Sequence, residues 1–462
     1  MYSAILLHAL LPLLLLLLPC TAYAGDGVAA HVTEHWHTQR IDHKRPNSGH
    51  FAQRYLMLRQ YAQPNGPHII YLAGERPVVA TDLTDTLATV LGEQLGGTLY
   101  ALEQRFYGAS TPNATLSLLS VAQQIADIRA FAQSLPGARR WVLVGASLGG
   151  SLAAWTKHVW RDPHVFVVAS SAPMRVPRAY WQYDLATAER LPCAGALARA
   201  VRMVDGALGS GGRERTEVRG MLGVPAHWDD ARVAEAVARP IAEAAQHAQY
   251  KTLCRSWETN GGEQHPVAAL ANLTAPAQQP PGCPAHPAWL WQQCAELGLW
   301  QTAPPTEHPF FAHRLRSRLL TLPHYEHVCR CLPHTPPAYM RPVFERFAAD
   351  ARRYLAHRRD VVFTVPLDDP WRYAAVPEGS RARVDVPGAG HGWDVGGGEE
   401  VGESVARVRE EVVRRVGRWL GSLDRPDDAA SPVAVIVRRQ AWLVAGVVAA
   451  LAIYALCRAA AG

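Results

Sequence analysis

The chain has 462 residues, of which 48% are hydrophobic and 19% are charged, and its formal net charge is +6. This composition is typical of a globular protein with apolar ends, and the length predicts a large core that carries an inserted subdomain. Lysine is nearly absent and the arginines are dispersed, with no run longer than a pair. This dispersed distribution of basic residues therefore excludes a nucleic-acid-binding face, which would concentrate them in one segment.

Residues 1–24 have the pattern of a secretory signal peptide. A leucine-rich run reaches Leu18 and Ala22-Tyr23-Ala24 forms an Ala-x-Ala cleavage site, although the positive charge usual at the start is missing. The remainder of the chain would then fold in an oxidising compartment. Once Cys20 and Cys457 near the two ends are set aside, six cysteines remain: Cys193, Cys254, Cys283, Cys294, Cys329 and Cys331. This even set predicts three disulfides whose pairing stays open. No spacing typical of zinc ligands occurs, and we predict no metal and no cofactor.

The C-terminal segment 441–457 is apolar and is followed by Arg458 and four small residues. It is at the short end of the length that a transmembrane helix needs. The alternative is a glycolipid-anchor signal, with small residues at 429–431 and a spacer to 440. The pair Arg438-Arg439 favours the cleaved signal, whereas Arg458 favours the transmembrane segment. Either interpretation attaches the chain to a membrane through its tail.

Two sequons, Asn113-Ala-Thr115 and Asn272-Leu-Thr274, are glycosylation acceptors in a secreted chain. We predict that Asn113 and Asn272 lie in surface loops.

Strand and helix patterns alternate in the first part of the chain, residues 25–174. Buried strands are predicted at 68–74, 98–102 and 165–169, and a helix at 121–134. This alternation predicts a parallel sheet in an α/β fold.

The pattern changes over residues 175–342, which lose strand signals, gain tryptophan and proline, and contain all six cysteines. We predict a largely helical, disulfide-bonded insertion that covers the carboxyl ends of the strands as a cap. Strands return at 360–365 and 381–386, and a long amphipathic helix at about 400–420 closes the second part of the sheet domain, residues 343–424. We predict that residues 425–440 form a polar linker.

A Gly-x-Ser-x-Gly elbow follows the predicted strand 141–144, as Gly145-Ala146-Ser147-Leu148-Gly149. A strand that turns sharply into a helix leaves room only for small residues and raises the serine hydroxyl over the end of the sheet. A helix is predicted at 150–158, with its positive end and the N–H of Leu148 directed at a developing oxyanion. We therefore interpret Ser147 as a nucleophile; the alternative is a plain glycine turn.

The partners of Ser147 follow from chain order, because in α/β hydrolases the acid and then the histidine follow the serine on loops after late strands. His391, between glycines, is the only histidine after Asp369. It would take the Ser147 proton, and Asp369 would hold it in the required tautomer. Asp368 is the rival acid. Asp369 is favoured because a residue before proline is held extended. A metallohydrolase is disfavoured because histidine and carboxylate ligands do not cluster.

Several stretches together resemble the serine exopeptidases that include lysosomal Pro-X carboxypeptidase, dipeptidyl peptidase II and thymus-specific serine protease. They occur in the family's order over about residues 39–420: Gln39-Arg-Ile-Asp-His43, Phe51-Ala-Gln-Arg-Tyr55, Gly74-Glu75, Glu103-Gln-Arg-Phe-Tyr-Gly108, Ser147-Leu-Gly-Gly150, Ala153-Ala-Trp155, Ser170-Ser-Ala-Pro173, Trp289-Leu-Trp-Gln-Gln-Cys-Ala-Glu-Leu-Gly298, Asp369-Pro-Trp371 and Gly388-Ala-Gly-His391. The stretch from Trp289 to Gly298, called the tryptophan–cysteine stretch below, is the most specific of them.

The resemblance implies an α/β-hydrolase domain with a helical, disulfide-bonded cap and a triad on Ser147, Asp369 and His391. It implies removal of residues from one end of short peptides beside proline, usually in acidic compartments. It also implies that Trp371 lines the pocket for the residue before the cut, and that Gly74 and Glu75 face the cleft, where a backbone N–H is a second oxyanion donor.

The sequence departs from the family at Ser151, which replaces a bulky wall of the specificity pocket. The family's usual residues are also replaced at Gln104, at Val365-Pro366 and at Gly392, and no catalytic atom is lost. Pocket shape decides selectivity for proline, so Ser151 bears directly on it.

The main hypothesis is a serine exopeptidase that acts on short peptides through an acyl-enzyme at Ser147. The alternatives are an esterase or lipase on the same fold, and an inactive surface protein that binds peptides in an inherited cleft. We expect the chain in the secretory pathway, in a lysosome or endosome or at the cell surface, membrane-anchored or secreted. The oligomeric state stays open, with a homodimer as one possibility.

Overall fold

The computed structural model describes residues 31–423, apart from residues 46, 138, 275–286, 333, 335, 337–339 and 397–401. The signal peptide, linker and apolar tail predicted above, and Cys283, lie outside the described residues. Within them, no helix has the length and apolar character needed to cross a membrane. One compact unit extends to Val413 and a second begins at Arg414. The described part of the second unit is the C-terminal portion of the last helix.

One eight-stranded sheet forms the centre of the first unit. Its strands are β1 (Thr33–Arg40), β2 (His50–Leu58), β3 (His68–Leu72), β4 (Thr98–Leu102), β5 (Trp141–Ala146), β6 (Val165–Ser170), β7 (Val361–Pro366) and β8 (Arg383–Val386). Their spatial order is β1-β2-β4-β3-β5-β6-β7-β8. Strand β2 is antiparallel to both of its neighbours, and the pairs from β4 to β8 are parallel. This order is that of the α/β-hydrolase fold, so the predicted fold class is confirmed.

The helices of the described chain are α1 (Thr81–Thr84), α2 (Leu87–Leu95), α3 (Val121–Ser134), α4 (Ser147–Trp160), α5 (Gln182–Ala188), α6 (Ala194–Ser210), α7 (Gly212–Met221), α8 (Asp230–Gln246), α9 (Tyr250–Thr259), α10 (Pro266–Leu273), α11 (Ala288–Gln292), α12 (Leu322–Cys329), α13 (Met340–Leu355) and α14 (Glu403–Leu423). Strands β6 and β7 are buried at every residue, and β5 at all but its last. Their continuous apolar runs therefore face covering elements on both sides of the sheet. Helix α4 packs on β5 and β6, and α3 and α13 pack on α4.

Helices α5 to α12 lie between β6 and β7 in the chain, within the predicted insertion of residues 175–342. The predicted end at 342 falls inside α13, which packs on α4 of the sheet domain. Two disulfides with both cysteines among the described residues hold the insertion: Cys193–Cys254 joins the start of α6 to α9, and Cys294–Cys329 joins the turn after α11 to α12. Cys331 is also disulfide-bonded.

The tryptophan–cysteine stretch anchors the insertion to the beginning of α3. Trp291 Nε1 donates to the carbonyl oxygen of Leu119 at 3.2 Å, and the Glu296 carboxylate accepts from the Val121 N–H at 2.7 Å. A carboxylate at a helix N-terminus satisfies an N–H that has no partner within the helix. Burial raises the pKa of Glu296 to about 7, while the Val121 N–H and the Lys44 charge act in the opposite direction.

The sequence prediction differs from the structure chiefly at β1 and β2, which it did not identify as strands. Helix α4 begins at Ser147 rather than at residue 150, and α14 runs three residues later than expected at both ends. Asn113 is exposed in a loop as predicted, whereas Asn272 is exposed in the last turn of α10 rather than in a loop.

Replacing Glu296 with Gln should weaken the dependence of stability on pH. The folded pKa of about 7 lies above the ordinary 4.5, so the unfolded chain loses this proton first. The resulting stability is complete below pH 4.5 and is lost as the pH rises towards 7, a difference of about 3 kcal/mol. Thermal melts at pH 5 and pH 7.5 should therefore show a larger fall in Tm for the wild type than for Glu296→Gln.

Glu326→Gln is the matched control, because Glu326 is an exposed carboxylate paired with Arg178. It should keep the pH dependence of the wild type. An equal fall in Tm for the wild type and Glu296→Gln would show that this buried carboxyl does not ionise during unfolding.

Candidate active site

Backbone packing at the junction of β5 and α4 determines the position of Ser147. A Cβ on Gly149 would lie 2.2 Å from the carbonyl oxygen of Leu72, and one on Gly145 would lie 2.5 Å from the carbonyl carbon of Gly149. Only glycine fits at either position. Ser147 has φ 54°, a left-handed conformation that is uncommon for a residue with a side chain and concentrates at functional sites. The sharp turn expected from the motif is therefore present.

Asp369 is held at the end of β7 by its own turn and by His391. Its backbone is extended, with ψ 125°, as expected for a residue before proline. One carboxylate oxygen accepts from the Trp371 N–H at 2.8 Å, and the other lies 2.8 Å from His391 Nδ1. Asp369 is 1% exposed. The rival carboxylate of Asp368 instead pairs with Arg190 at 3.2 Å.

Contacts on two sides fix the loop that carries His391. The His391 N–H donates to the carbonyl of Gln246 at 2.9 Å, and the Gly392 N–H donates to Ser171 Oγ at 2.9 Å. Gly392 has φ +70°, and a Cβ there would lie 3.3 Å from the Cβ of Ala146. The loop therefore reaches the residue that precedes Ser147, which brings the three residues predicted as a triad into one region.

Opposing influences set the pKa of His391. Burial is the largest and lowers it, but the charge and hydrogen bond of Asp369, together with the charges of Glu75 and Asp394, outweigh burial and raise the pKa above its ordinary 6.5. The imidazolium is thus stabilised by a carboxylate fixed at hydrogen-bonding distance. This is the arrangement in which a histidine accepts a proton from a neighbouring hydroxyl.

A cavity of about 1090 Å³ lies between the carboxyl ends of the strands and the insertion. The sheet domain contributes five of the predicted site residues to its lining: Glu75, Ser147, Leu148, Ser151 and Trp371. Their arrangement puts a hydroxyl, the first backbone N–H groups of a helix and an aromatic ring around one space. A cavity of this size has room for a small organic ligand.

The remaining predicted site residues have distinct positions. Gly74 is buried against the start of α4, where a Cβ would lie 3.0 Å from the N atom of Gly149. The carboxyl group of Glu75 lines the cavity, and burial raises its pKa although its own N–H and His391 act against this. Ser151 Oγ donates to the carbonyls of Ser147 at 3.2 Å and Pro173 at 3.1 Å. Among residues 31–423 outside the gaps, no cluster of three or more His, Cys, Asp or Glu side chains is arranged to hold a metal ion.

Trp371 belongs to an aromatic wall that the sequence did not predict. Its ring stacks on Tyr180 at 5.1 Å and meets Tyr183 edge-on at 5.3 Å, and its centroid lies 6.3 Å from that of His391. Trp371 Nε1 donates to the side chain of Gln246 at 3.2 Å. The insertion therefore supplies the supports of this ring as well as the roof of the cavity.

Comparisons with known proteins agree on one family. Residues 39–213 match the family model described as serine carboxypeptidase S28. The serine protease vicPa of Bipolaris victoriae is 26% identical over 83% of this chain and 88% of its own. The mouse (Mus musculus) thymus-specific serine protease is 23% identical over 87% of this chain and 90% of its own. The human (Homo sapiens) lysosomal Pro-X carboxypeptidase is 30% identical over 38% of this chain and 37% of its own.

Among solved structures, a proline iminopeptidase from Mycobacterium smegmatis aligns over 84% of this chain and all of its own, with 13% identity and a TM-score of 0.34. The fold assignment rests on the strand order given above rather than on this weak likeness.

Any reaction in which His391 takes the proton of Ser147 should slow as the pH falls. The raised pKa places the midpoint of this loss above 6.5, because the protonated imidazole has no free acceptor. Since the Glu75 charge contributes to the raised pKa, Glu75→Gln should move the midpoint to lower pH. The measurement is the rate at which a fluorophosphonate labels Ser147 between pH 4 and pH 9.

Glu263→Gln, an exposed carboxylate paired with Arg199, should leave the labelling midpoint where it is in the wild type. A labelling rate that does not change between pH 4 and pH 8 would contradict the role of His391.

Proposed function

Because the chain belongs to the serine carboxypeptidase S28 family, and is a serine peptidase by that membership, we propose that it is an exopeptidase that trims short peptides beside proline. The observation that carries this proposal is the 2.8 Å contact between Asp369 and His391 Nδ1, in a loop that reaches the residue before Ser147, where Ser147 makes a left-handed turn in the lining of the cavity. Each residue has a defined task in the reaction.

Acylation begins with attack of Ser147 Oγ on the carbonyl carbon of the scissile peptide bond. The hydroxyl proton passes to His391 Nε2, because Nδ1 is held by Asp369. The negative charge moves to the carbonyl oxygen, where the backbone N–H of Leu148 donates to it, and that of Glu75 does so once it is released from its own carboxylate. The first N–H groups of α4 suit this task because they have no partner within the helix.

Collapse of the tetrahedral intermediate breaks the carbon–nitrogen bond. His391 gives the proton to the leaving amine, and the remaining part of the peptide stays as an ester on Ser147. Water then attacks the ester carbon while His391 takes its proton, and the bond from that carbon to Oγ breaks as His391 returns the proton to Oγ, which releases the acid product and regenerates Ser147. The positive charge on His391 is stabilised throughout by the buried Asp369 carboxylate.

The preference for proline rests on the aromatic wall. Trp371 is fixed by Tyr180, Tyr183 and Gln246, so it offers a rigid apolar face to the residue before the cut. A pyrrolidine ring packs on such a face at little entropic cost because it has no rotamers to lose. The small side chain of Ser151 leaves additional room in the pocket.

We place the protein in the secretory pathway, because the disulfides Cys193–Cys254 and Cys294–Cys329 form in an oxidising compartment. The predicted attachment of the tail to a membrane, delivery to a lysosome, endosome or the cell surface, and association into a homodimer are parts of the same proposal.

Ser147→Ala should reduce kcat/KM for a proline-containing peptide by at least about a thousandfold, because the nucleophile is lost while the binding cavity remains. Mass spectrometry of the products, together with fluorophosphonate labelling, measures both consequences. Labelling should disappear in this variant.

Ser210→Ala is the control, since Ser210 is exposed at the end of α6, and it should react as the wild type does. Hydrolysis by Ser147→Ala at the rate of the wild type would contradict the proposed mechanism. Cleavage of simple esters without cleavage of any peptide would indicate an esterase, and no reaction at all would indicate a protein that only binds peptides.

A further inference from the structure

Arg316 is a buried guanidinium in the wall of the cavity that contains Ser147. The residue is 6% exposed and lines the cavity. Its guanidinium carbon lies 5.3 Å from the centroid of the Tyr183 ring, and Tyr183 meets Trp371 edge-on at 5.3 Å. Trp371 in turn is 6.3 Å from His391. Two aromatic rings therefore connect Arg316 to the histidine of the proposed triad.

One face of helix α8 lines the cavity, so distances between residues of α8 measure distances along the cavity. Gln246, at the C-terminal end of α8, bonds Trp371 and so marks the end next to the triad. The hydroxyl of Tyr183 donates to the carbonyl of Ala242 at 2.7 Å. With a rise of about 1.5 Å per residue, Ala242, and with it the hydroxyl of Tyr183, lies roughly 6 Å along the helix from Gln246.

The charged residues on the face of α8 that lines the cavity lie several turns from Gln246, the residue of α8 next to the proposed triad. Arg239 precedes Gln246 by seven residues and Glu235 by eleven, which correspond to about 10 Å and 16 Å along the axis. Glu75 is near His391, and the negative charge of Glu75 contributes to raising the pKa of His391. Of the charged residues of α8 that line the cavity, the one nearest Gln246 is therefore the positively charged Arg239.

The hydrogen bonds of Arg316 are incomplete within the described chain. Nη2 donates to the side chain of Gln301, but Nε has no hydrogen-bond partner among the described residues. The Asp184 carboxylate lies 3.8 Å from Nε, beyond hydrogen-bonding distance, and accepts instead from the Leu315 N–H at 2.7 Å. A buried donor left without a partner costs free energy, which a ligand that accepts from it recovers.

From this geometry we infer that Arg316 binds the terminal carboxylate of the substrate, so that residues are removed from the C-terminal end of peptides. The inference rests on the proposed function and adds the direction of trimming. The planar fork of a guanidinium matches a carboxylate, and Arg316 lines the same cavity as Ser147, so a peptide bound at Ser147 can extend towards it at about 3.5 Å per extended residue. A terminal ammonium at the same place would meet a like charge.

The test compares peptides that differ only at their ends, with the secreted full-length chain. One proline-containing peptide carries a free C-terminal carboxylate, the second a C-terminal amide, and the third an acetylated N-terminus with a free carboxylate. The wild type should cleave the first and third alike and the amide at least about tenfold less efficiently. Arg316→Met should raise KM for the free acids by about 10- to 100-fold and change kcat/KM for the amide by less than about twofold.

Arg314→Met is the matched control. Arg314 lies in the same segment, is also buried, pairs with Asp205 at 2.6 Å and does not line the cavity. It should lower Tm without changing the ratio of the rates for acid and amide. Arg316→Lys keeps the positive charge but loses the planar guanidinium, and it should show an intermediate KM. This second variant keeps the inference testable if Arg316→Met does not fold.

Three outcomes overturn the inference. If Arg316→Met and Arg316→Lys reduce the rates for acid and amide equally, Arg316 is a structural residue. If the wild type releases N-terminal dipeptides, or requires an acidic side chain rather than a terminal carboxylate, the ligand is wrong although Ser147 still reacts with a fluorophosphonate. A wild type that neither cleaves these peptides nor reacts with the fluorophosphonate refutes the proposed function as well.

Discussion

The contact between two backbones at Gly149 and Leu72 is the constraint on which the site depends. With no side chain between them, helix α4 approaches the sheet at a distance that any Cβ on Gly149 would prevent. The approach forces the chain at Ser147 into a left-handed turn and directs the helix N-terminus towards the cavity. The Ser147 hydroxyl and the first N–H groups of α4 are therefore positioned by one steric constraint, before any hydrogen bond is made.

The insertion completes what the sheet domain begins. Its tryptophan–cysteine stretch is tied to α3 through Trp291 and Glu296, and its helix α8 brings Gln246 to both Trp371 and the His391 loop. The same helix forms one wall of the cavity. Movement of the insertion would consequently disturb the His391 loop and the cavity together, so the insertion is part of the candidate site and does more than cover it.

The sequence predicted those features that depend on local sterics and chain order. The parallel strands are continuous apolar runs, the elbow needs small residues, and Asp369 before a proline is extended; each leaves a local pattern. The edge strand β1 leaves none, because it is polar along its length and mostly exposed. The pairing of Cys294 with Cys329 likewise follows from tertiary packing.

The supports of the site were missed for a related reason. Gln246 and Tyr183 come from separate parts of the insertion, and each has an ordinary helical context in the sequence. Ser171 had a weak signal, since it stands in Ser170-Ser-Ala-Pro173, but nothing local shows that its hydroxyl accepts from the Gly392 N–H. Residues that act by holding others become visible only when the chain has folded.

The buried carboxyl of Glu296 links the lifetime of the molecule to its surroundings. Its proton stabilises the folded chain in acid, whereas His391 must lose a proton to act as a base. Under the proposed function, the chain is therefore most stable at the pH at which it reacts slowly, and it reacts fastest where it is less stable. A change of pH would then trade the lifetime of the molecule against its rate of reaction.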